Sequence, residues 1–425
     1  MTSIINDTYF SYKKLNPPKT QNASSIEQNK QTSSVPIATP KAVEDRFSLQ
    51  ANTSPLQVAV YQSATALLNQ GYFQGVSLVV SHGDKSYQAV AGTTGVNTKT
   101  PITKETAFGI GSVTKTFTAV AILKLVEAGK IKLGAPITDY LPATTVENLP
   151  TASQITVRDL LHQTSGLPDY IGDTDFALNE LFFKAPNSPK ATTSQLLSYV
   201  KEEKPKAPHQ AWEYCNTNYL LLGDMLEAVT KQPLETVYRN LIFNPLKLNN
   251  TFAHPETVSA KQSIATGGWE DGYDPLVQNA GGAGCLYSTA NDLQTFFRAL
   301  FKEKTVLNPK SLTEMMAISP NDGSNGYGLG IVNLGTEQNP ILAHNGQSFN
   351  YGSLCIYNPE TDVLITGIAS NKLTKSKIAN AAFHPTSEST GMPGNIPLFE
   401  QALEKTPLYP ALTDLLHTES NPPTR

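Results

Sequence analysis

Two hairpin signals at opposite ends of the chain constrain its fold more than anything between them. Near the start, Gly75-Val-Ser-Leu-Val-Val80 and Ser86-Tyr-Gln-Ala-Val-Ala91 flank the turn His82-Gly83-Asp84-Lys85. Near the far end, Tyr351-Gly-Ser-Leu-Cys-Ile-Tyr357 and Val363-Leu-Ile-Thr-Gly-Ile368 flank Asn358-Pro359-Glu360-Thr361-Asp362. Short β-branched runs bounded by Gly, Pro, Asn and Asp read as paired strands. The two hairpins are expected to join one antiparallel sheet. Between them the chain reads helical, with candidates at 113–128, 156–162, 194–202, 217–230, 234–243, 289–302 and 309–317, and the spacing Leu56, Val58, Val60, Ala64, Leu67, Leu68 predicts a helix before the first hairpin. Strands from the ends around a helical middle predict an α+β architecture: an antiparallel sheet flanked by helices, plus an inserted all-helical sub-domain.

The expected boundaries follow. Residues 1–48 form a tail, polar and poor in aromatic clusters from 11 to about 44, that predicts disorder. Residues 49–372 form the folded domain, with its α/β part at about 52–130 and 290–372 and its helical part at about 131–289. Residues 373–425 are an extension, with a Ser/Thr/Pro/Gly-rich stretch at 384–396 and an apolar-periodic, partly helical segment from Leu398 to Leu416. No repeat period is visible.

Composition narrows the function. The 425 residues carry a formal charge of −4, which argues against nucleic acid or an anionic membrane as the main partner. Hydrophobic content of 39%, with 17 Tyr and 16 Phe, supports a real core. Cys215, Cys285 and Cys355 are odd in number and far apart, so they make neither a disulfide framework nor a paired metal-ligand spacing. The first twenty residues hold no apolar run of signal-peptide length, and no stretch reaches the length of a membrane span. The expectation is a protein without a membrane span, cytoplasmic or exported without a cleavable signal. Its tails are candidates for binding an unidentified partner.

The chemistry centres on Gly111-Ser112-Val113-Thr114-Lys115-Thr116-Phe117. Ser-x-x-Lys also occurs at Ser11–Lys14, in the polar tail, and at Ser198–Lys201, in a charged segment. The string alone is cheap, and a serine cap followed by an ordinary lysine is the alternative. Context favours 112–115. Val113, Phe117, Val120, Ala121, Ile122, Leu125 and Val126 cover most sides of a helix, with Gly129 as its stop, so Ser112 sits at the first turn of a buried helix. There the helix dipole favours a developing oxyanion, and Lys115, three residues on, lies on the same face. A serine hydroxyl needs a base, and a lysine becomes one near neutrality only when burial lowers its pKa. Two later stretches join it: Trp212-Glu-Tyr214-Cys215-Asn216, and His344-Asn345-Gly346-Gln347 just before the second hairpin.

This set resembles the serine β-lactamase and penicillin-binding-protein superfamily, in particular its branch of class C β-lactamases, esterases and D-amino-acid peptidases. The resemblance runs from about Leu56 to Asn371. GIGSVTKTFTAVAILKLVEAGKIKLGAPITDYLP resembles the branch's nucleophile helix and following loop. ITVRDLLHQTSGLPDY at 155–170, AWEYCNTNYLLLG and GGAGCLYSTANDLQTFF at 281–297 are similar to three further stretches of it. It implies a β-lactamase/transpeptidase-like fold and a serine hydrolase, an esterase or a peptidase/amidase, working through an acyl-enzyme on Ser112. Lys115 would accept its proton. Tyr214 would carry a proton to the leaving group and then help activate water. Asn216 would hydrogen-bond Lys115 and substrate. His344 stands where many relatives carry a lysine. Gly346 would let the edge strand approach substrate, and the N–H groups of Ser112 and Gln347 would form the oxyanion hole. No metal or organic cofactor is implied. The substrate would be a small ester, amide or peptide. A silent binding protein of the same fold, or an acyltransferase, are the other readings.

Departures from the branch carry expectations of their own. A neutral His344 in place of lysine predicts weaker carboxylate recognition. Gln347, where a small residue is common, is expected to narrow the pocket. His209, where glycine is common after Pro208, is expected to reshape a loop. Cys215 is read as buried and structural, His162 as a structural hydrogen-bonder, and Ser165-Gly166 as a turn. Trp269 and Tyr273 are candidates for the pocket wall. Tyr170 and Phe176 border on or fall in the 171–211 stretch, a candidate lid. No Gly-x-Ser-x-Gly surrounds Ser112, and no HExxH, phosphate-loop or dinucleotide fingerprint occurs.

Overall fold

The computed structural model describes residues 54–147, 149, 151–171, 191–198, 200, 204–253, 263–268, 274–319, 326–372 and 399–411. The tail 1–48, Ser11–Lys14, Lys201, Phe176, most of the candidate lid's first half, Trp269, Tyr273 and the 384–396 stretch lie outside them.

The strands named here are β1 (Phe73–His82), β2 (Lys85–Gly92), β3 (Thr106–Gly109), β4 (Ser263–Ile264), β5 (Tyr287–Ser288), β6 (Val332–Asn333), β7 (Leu342–Gln347), β8 (Tyr351–Asn358) and β9 (Val363–Asn371). The helices are α1 (Pro55–Asn69), α2 (Thr114–Glu127), α3 (Val157–His162), α4 (Thr193–Ser198), α5 (Asn216–Thr230), α6 (Leu234–Tyr238), α7 (Ala290–Phe297), α8 (Pro309–Met316) and α9 (Phe399–Glu404).

The two hairpins do join one sheet. Its order is β2-β1-β9-β8-β7-β6, antiparallel throughout. β1 lies against β9 with Val76 opposite Ala369, so the first and last long strands are neighbours. Helices cover both faces, and the period of two along β9 shows it. Thr366 sends its hydroxyl to Ala290 O at the start of α7, at 2.9 Å. Its neighbour Gly367 turns to the other face, where a Cβ would stand 2.7 Å from the Phe399 ring of α9. Phe399 also meets Phe73 edge to face at 5.8 Å. The apolar segment after Leu398 is helical over Phe399–Glu404 and again over 408–411, interrupted at Pro407, which breaks or kinks a helix, and residues 412–416 lie outside the described residues.

The helical middle packs around α2. Phe117, Val120, Ala121 and Ile122 are fully buried, and Phe117 stacks on Phe296 at 3.8 Å. Truncating such a ring to alanine typically costs about 3–5 kcal/mol. The middle also carries β4 and β5, which pair with β3 in a three-stranded piece that the sequence did not reveal. Two-residue strands are too short to show a period. Two helices run on through π turns, at Arg239–Phe243 and Arg298–Lys302. Among the described residues no helix is long and apolar enough to cross a membrane.

Candidate active site

The site forms where α2, the start of α5, the loop 281–284 and the edge of β7 converge. β3 ends at Gly109, and the chain turns through Gly111–Val113 into α2. Gly111 takes φ 47, a left-handed conformation, and a Cβ there would stand 2.8 Å from Gln347 N. Only glycine lets the turn approach β7 that closely. Ser112 is half-buried on this turn, while Lys115, one helical step on, is 0% exposed.

Lys115 Nζ donates to three acceptors: Ser112 Oγ at 3.0 Å, Asn216 Oδ1 at 2.8 Å and Ala283 O at 2.8 Å. These match the three hydrogens of an ammonium. They also place a neutral amine's lone pair within reach of the Ser112 proton. Burial brings the Lys115 amine down to about 7, against the opposing pull of Asp169. A drop of that size raises the neutral fraction at pH 7 by about 10³-fold over a free lysine.

The Tyr214 hydroxyl hydrogen-bonds Ser112, and burial keeps it a neutral phenol. Its ring lies 4.9 Å from Lys115 Nζ and meets Tyr327 edge to face at 6.1 Å. Asn216 opens α5. Its Nδ2 donates to Asp169 Oδ2 at 2.9 Å, so a carboxylate not singled out in the sequence sits two hydrogen bonds from Lys115, through Asn216.

His344 is 1% exposed, and burial followed by the nearby Lys115 pushes it down to about 3. It is therefore a neutral imidazole, with Nδ1 donating to Asn345 O at 2.7 Å and Nε2 facing the Tyr327 hydroxyl at 3.5 Å.

β7 shows different chemistry on its two faces. Gly346 shares a face with His344, and a Cβ on it would stand 2.0 Å from Ile110 O. The close approach at Gly346 is thus to the turn that carries Ser112. Asn345 and Gln347 face the other way, toward α9. Asn345 Nδ2 donates to Glu400 Oε1 at 2.9 Å, and Gln347 Oε1 lies 3.3 Å from where a Gly352 Cβ would stand. The Gln347 side chain does not narrow the pocket by filling it, because the strand's alternation turns it away. Its backbone is what fronts Ser112. Ser348 N–H donates across the ladder to Tyr351 O at 2.9 Å, so the alternating Gln347 N–H faces the opposite edge, beside Gly111.

The supporting residues have structural partners. Gln163 Oε1 accepts from Asn218 Nδ2 at 2.6 Å and Cys215 N at 3.1 Å, and Ser165 Oγ donates to Asn218 Oδ1 at 2.5 Å. The 162–167 turn is thereby tied to α5. Cys215 is buried, its thiol pushed well up by burial, so it is inert. His162 bonds Ala317 O at 3.2 Å, and burial holds it at about 4. His209 takes φ 66, the left-handed conformation of a glycine, while its ring bonds Asp159 Oδ1 at 2.6 Å. The backbone there keeps a glycine's conformation instead of adopting a new one. Tyr170 packs with Leu196, Val200 and Leu220. Among the described residues no group of three or more His, Cys, Asp or Glu is placed to hold a metal.

Comparison with known proteins bears on the family and the fold. The Beta-lactamase family model matches residues 60–384. Penicillin-binding protein 4 of Amycolatopsis lactamdurans is 28% identical over 55% of this chain and 61% of its own length. Penicillin-binding protein 4* of Bacillus subtilis is 25% identical over 67% and 65%. The chain thus spans under two thirds of these curated relatives. The structure of D-amino acid amidase from Ochrobactrum anthropi SV3, complexed with L-phenylalanine amide, superposes with a TM-score of 0.65 at 26% identity, over 85% of this chain and 99% of that one. The octameric penicillin-binding protein homologue from Pyrococcus abyssi shares the fold, with a TM-score of 0.62 at 24% identity over 75% and 74%. With that family model covering most of its length, the chain belongs to the serine β-lactamase and penicillin-binding-protein family.

Proposed function

We propose that this protein hydrolyses small amides, peptides or esters through an acyl-enzyme on Ser112. The observation that carries the reading is the Lys115 amine: fully buried, brought to about 7, and 3.0 Å from Ser112 Oγ. Neutral Lys115 takes the hydroxyl proton as Ser112 attacks the substrate carbonyl. The N–H groups of Ser112 and Gln347 receive the oxyanion; removing one such donor typically costs ~10²–10³-fold. Tyr214, a neutral phenol, gives its proton to the leaving amine or alkoxide and regains one from the Lys115 side. Water then enters where the leaving group stood, and the same groups act in reverse. No metal is needed for these steps.

His344 shapes the substrate class. A neutral imidazole offers no cation to a substrate carboxylate. This favours neutral amides and esters over carboxylate-terminated peptides and penicillins. The amidase among the solved relatives supports an amide as the first substrate to try.

The test is intact-protein mass after exposure to a serine-reactive fluorophosphonate. One adduct on wild type and none on Ser112→Ala is expected. Equal labelling of both, or of neither, overturns the reading.

A further inference from the structure

Asp169 lies near the end of the 155–170 stretch that resembles the family, where no role at this site was assigned to it, yet it is wired into the site. It lies between Pro168 and Tyr170 on the segment that follows the Ser165-Gly166 turn. Its Oδ1 accepts Ile171 N–H at 3.1 Å, its Oδ2 accepts Asn216 Nδ2–H at 2.9 Å, and the backbone N–H of Asn216 at the start of α5 also bonds it. The segment is fastened over that helix end twice more, by Tyr170 N–H to Thr217 Oγ1 at 3.0 Å and Thr217 Oγ1 to Pro168 O at 2.7 Å.

An amide can be placed two ways round, and here both ends of Asn216 decide. Its oxygen meets the Lys115 amine and its NH₂ meets the Asp169 carboxylate. The reversed amide would set NH₂ against the amine and oxygen against the carboxylate. Around Lys115 the other titratable side chains are Tyr214 and Tyr219, whose rings flank it, Cys215 ahead of α5, and His344 on β7. Burial keeps Tyr214 a phenol, Cys215 a thiol and His344 a neutral imidazole. Tyr170, Tyr214 and Cys215 face Asp169 in turn, and Tyr170 is likewise held as a phenol. Among the described residues, Asp169 is thus the carboxylate that faces Lys115.

We propose that Asp169 is a positioning residue: it turns the Asn216 amide so that its oxygen meets Lys115, and its negative charge holds the proton on that amine. The proposal rests on the reading of Ser112 as the acylated nucleophile. It assigns Asp169 the setting of the pH at which the base becomes available. Burial raises the Asp169 pKa above the usual carboxylate value, and the three N–H donors and Lys115 pull it back toward the ionised form.

The experiment is the rate of fluorophosphonate labelling between pH 5 and 9 for wild type, Asp169→Asn and Asp169→Ala, with a thermal melt of each. Asp169→Asn keeps an acceptor for Asn216 and loses the charge. Its acidic limb is expected about one pH unit lower, with the plateau rate within a few-fold of wild type. Asp169→Ala also frees the amide, and its plateau is expected to fall ~10²-fold. An Asp169→Asn limb that coincides with wild type overturns the proposal, as does an Asp169→Ala plateau equal to wild type. Loss of a cooperative melt in both variants makes Asp169 a purely structural tie and overturns it too. An unlabelled wild type instead removes the nucleophile reading on which it stands.

Discussion

Lys115 and Glu400 lie against opposite faces of the β7 edge, and burial drives both toward the same value. The lysine comes down to about 7 and the carboxyl goes up to about 7. Their surroundings differ in kind. Lys115 has three converging acceptors, one of them the hydroxyl of Ser112. Glu400, on α9, has the Asn345 amide at 2.9 Å and its own backbone N–H, with Glu404 repelling it. Among the described residues no nucleophile and no oxyanion donor is bonded to it. A shifted pKa therefore reports burial on both faces of the strand, and chemistry on the one where a nucleophile stands beside the shifted group.

Lys115→Ala breaks the comparison most deeply. Without the base, Ser112 labelling is expected to fall ~10³-fold, read as adduct mass against time. A fall of less than tenfold would leave Lys115 no more chemical than Glu400. Gly346→Ala comes next, because its methyl group has nowhere to go: Ile110 O stands 2.0 Å away and Ser353 Oγ 2.5 Å. The edge of β7 must move off the Ser112 turn, for an expected ~10²-fold loss of labelling and about 1–3 kcal/mol of stability in urea titrations. Undiminished labelling would separate the β7 backbone from the oxyanion.

Glu400→Gln has the smallest effect on the reaction, with labelling expected within twofold of wild type. Its effect is on stability against pH. The Glu400 pKa is raised from 4.5 to about 7, so the stability it contributes is fully present below about 4.5 and is gone once pH has risen through about 7. Wild type should lose on the order of 3 kcal/mol more than the variant between pH 4.5 and 8. Parallel stability curves for the two would show that α9 undocks without Glu400 sensing it.

The sequence made the long elements readable. Hairpins with Gly-Asp and Asn-Pro turns, and α2 with apolar residues on most sides, declare themselves locally. Ser112, Lys115, Tyr214, Asn216 and His344 lie in strings that could be singled out, and the fold brings them to one corner. Other features did not declare themselves locally. β7 was expected as an edge strand only through the resemblance at His344–Gln347, because its His-Asn-Gly-Gln end lacks the β-branched residues that mark strands. Asp169 was invisible because its meaning lies in Asn216, 47 positions away, and nothing between Pro168 and Tyr170 distinguishes a carboxylate that orients an amide from one that faces water. For the same reason, that the Gln347 side chain turns away from the nucleophile is a fact of register, legible only once β7 is paired with β8.

The strand order has a consequence for the newborn chain. Ala283 is made 168 residues after Lys115, and Ser353, whose hydroxyl ties β8 to Ile110, comes 243 residues after Ile110. At ~5–20 residues per second, synthesis between those last two takes roughly 10–50 s. Until Ala283 and Gln347 have been made, Lys115 lacks one of its acceptors and Ser112 lacks the β7 backbone beside its turn. The site is therefore complete only once the far end of the chain has closed over the near one.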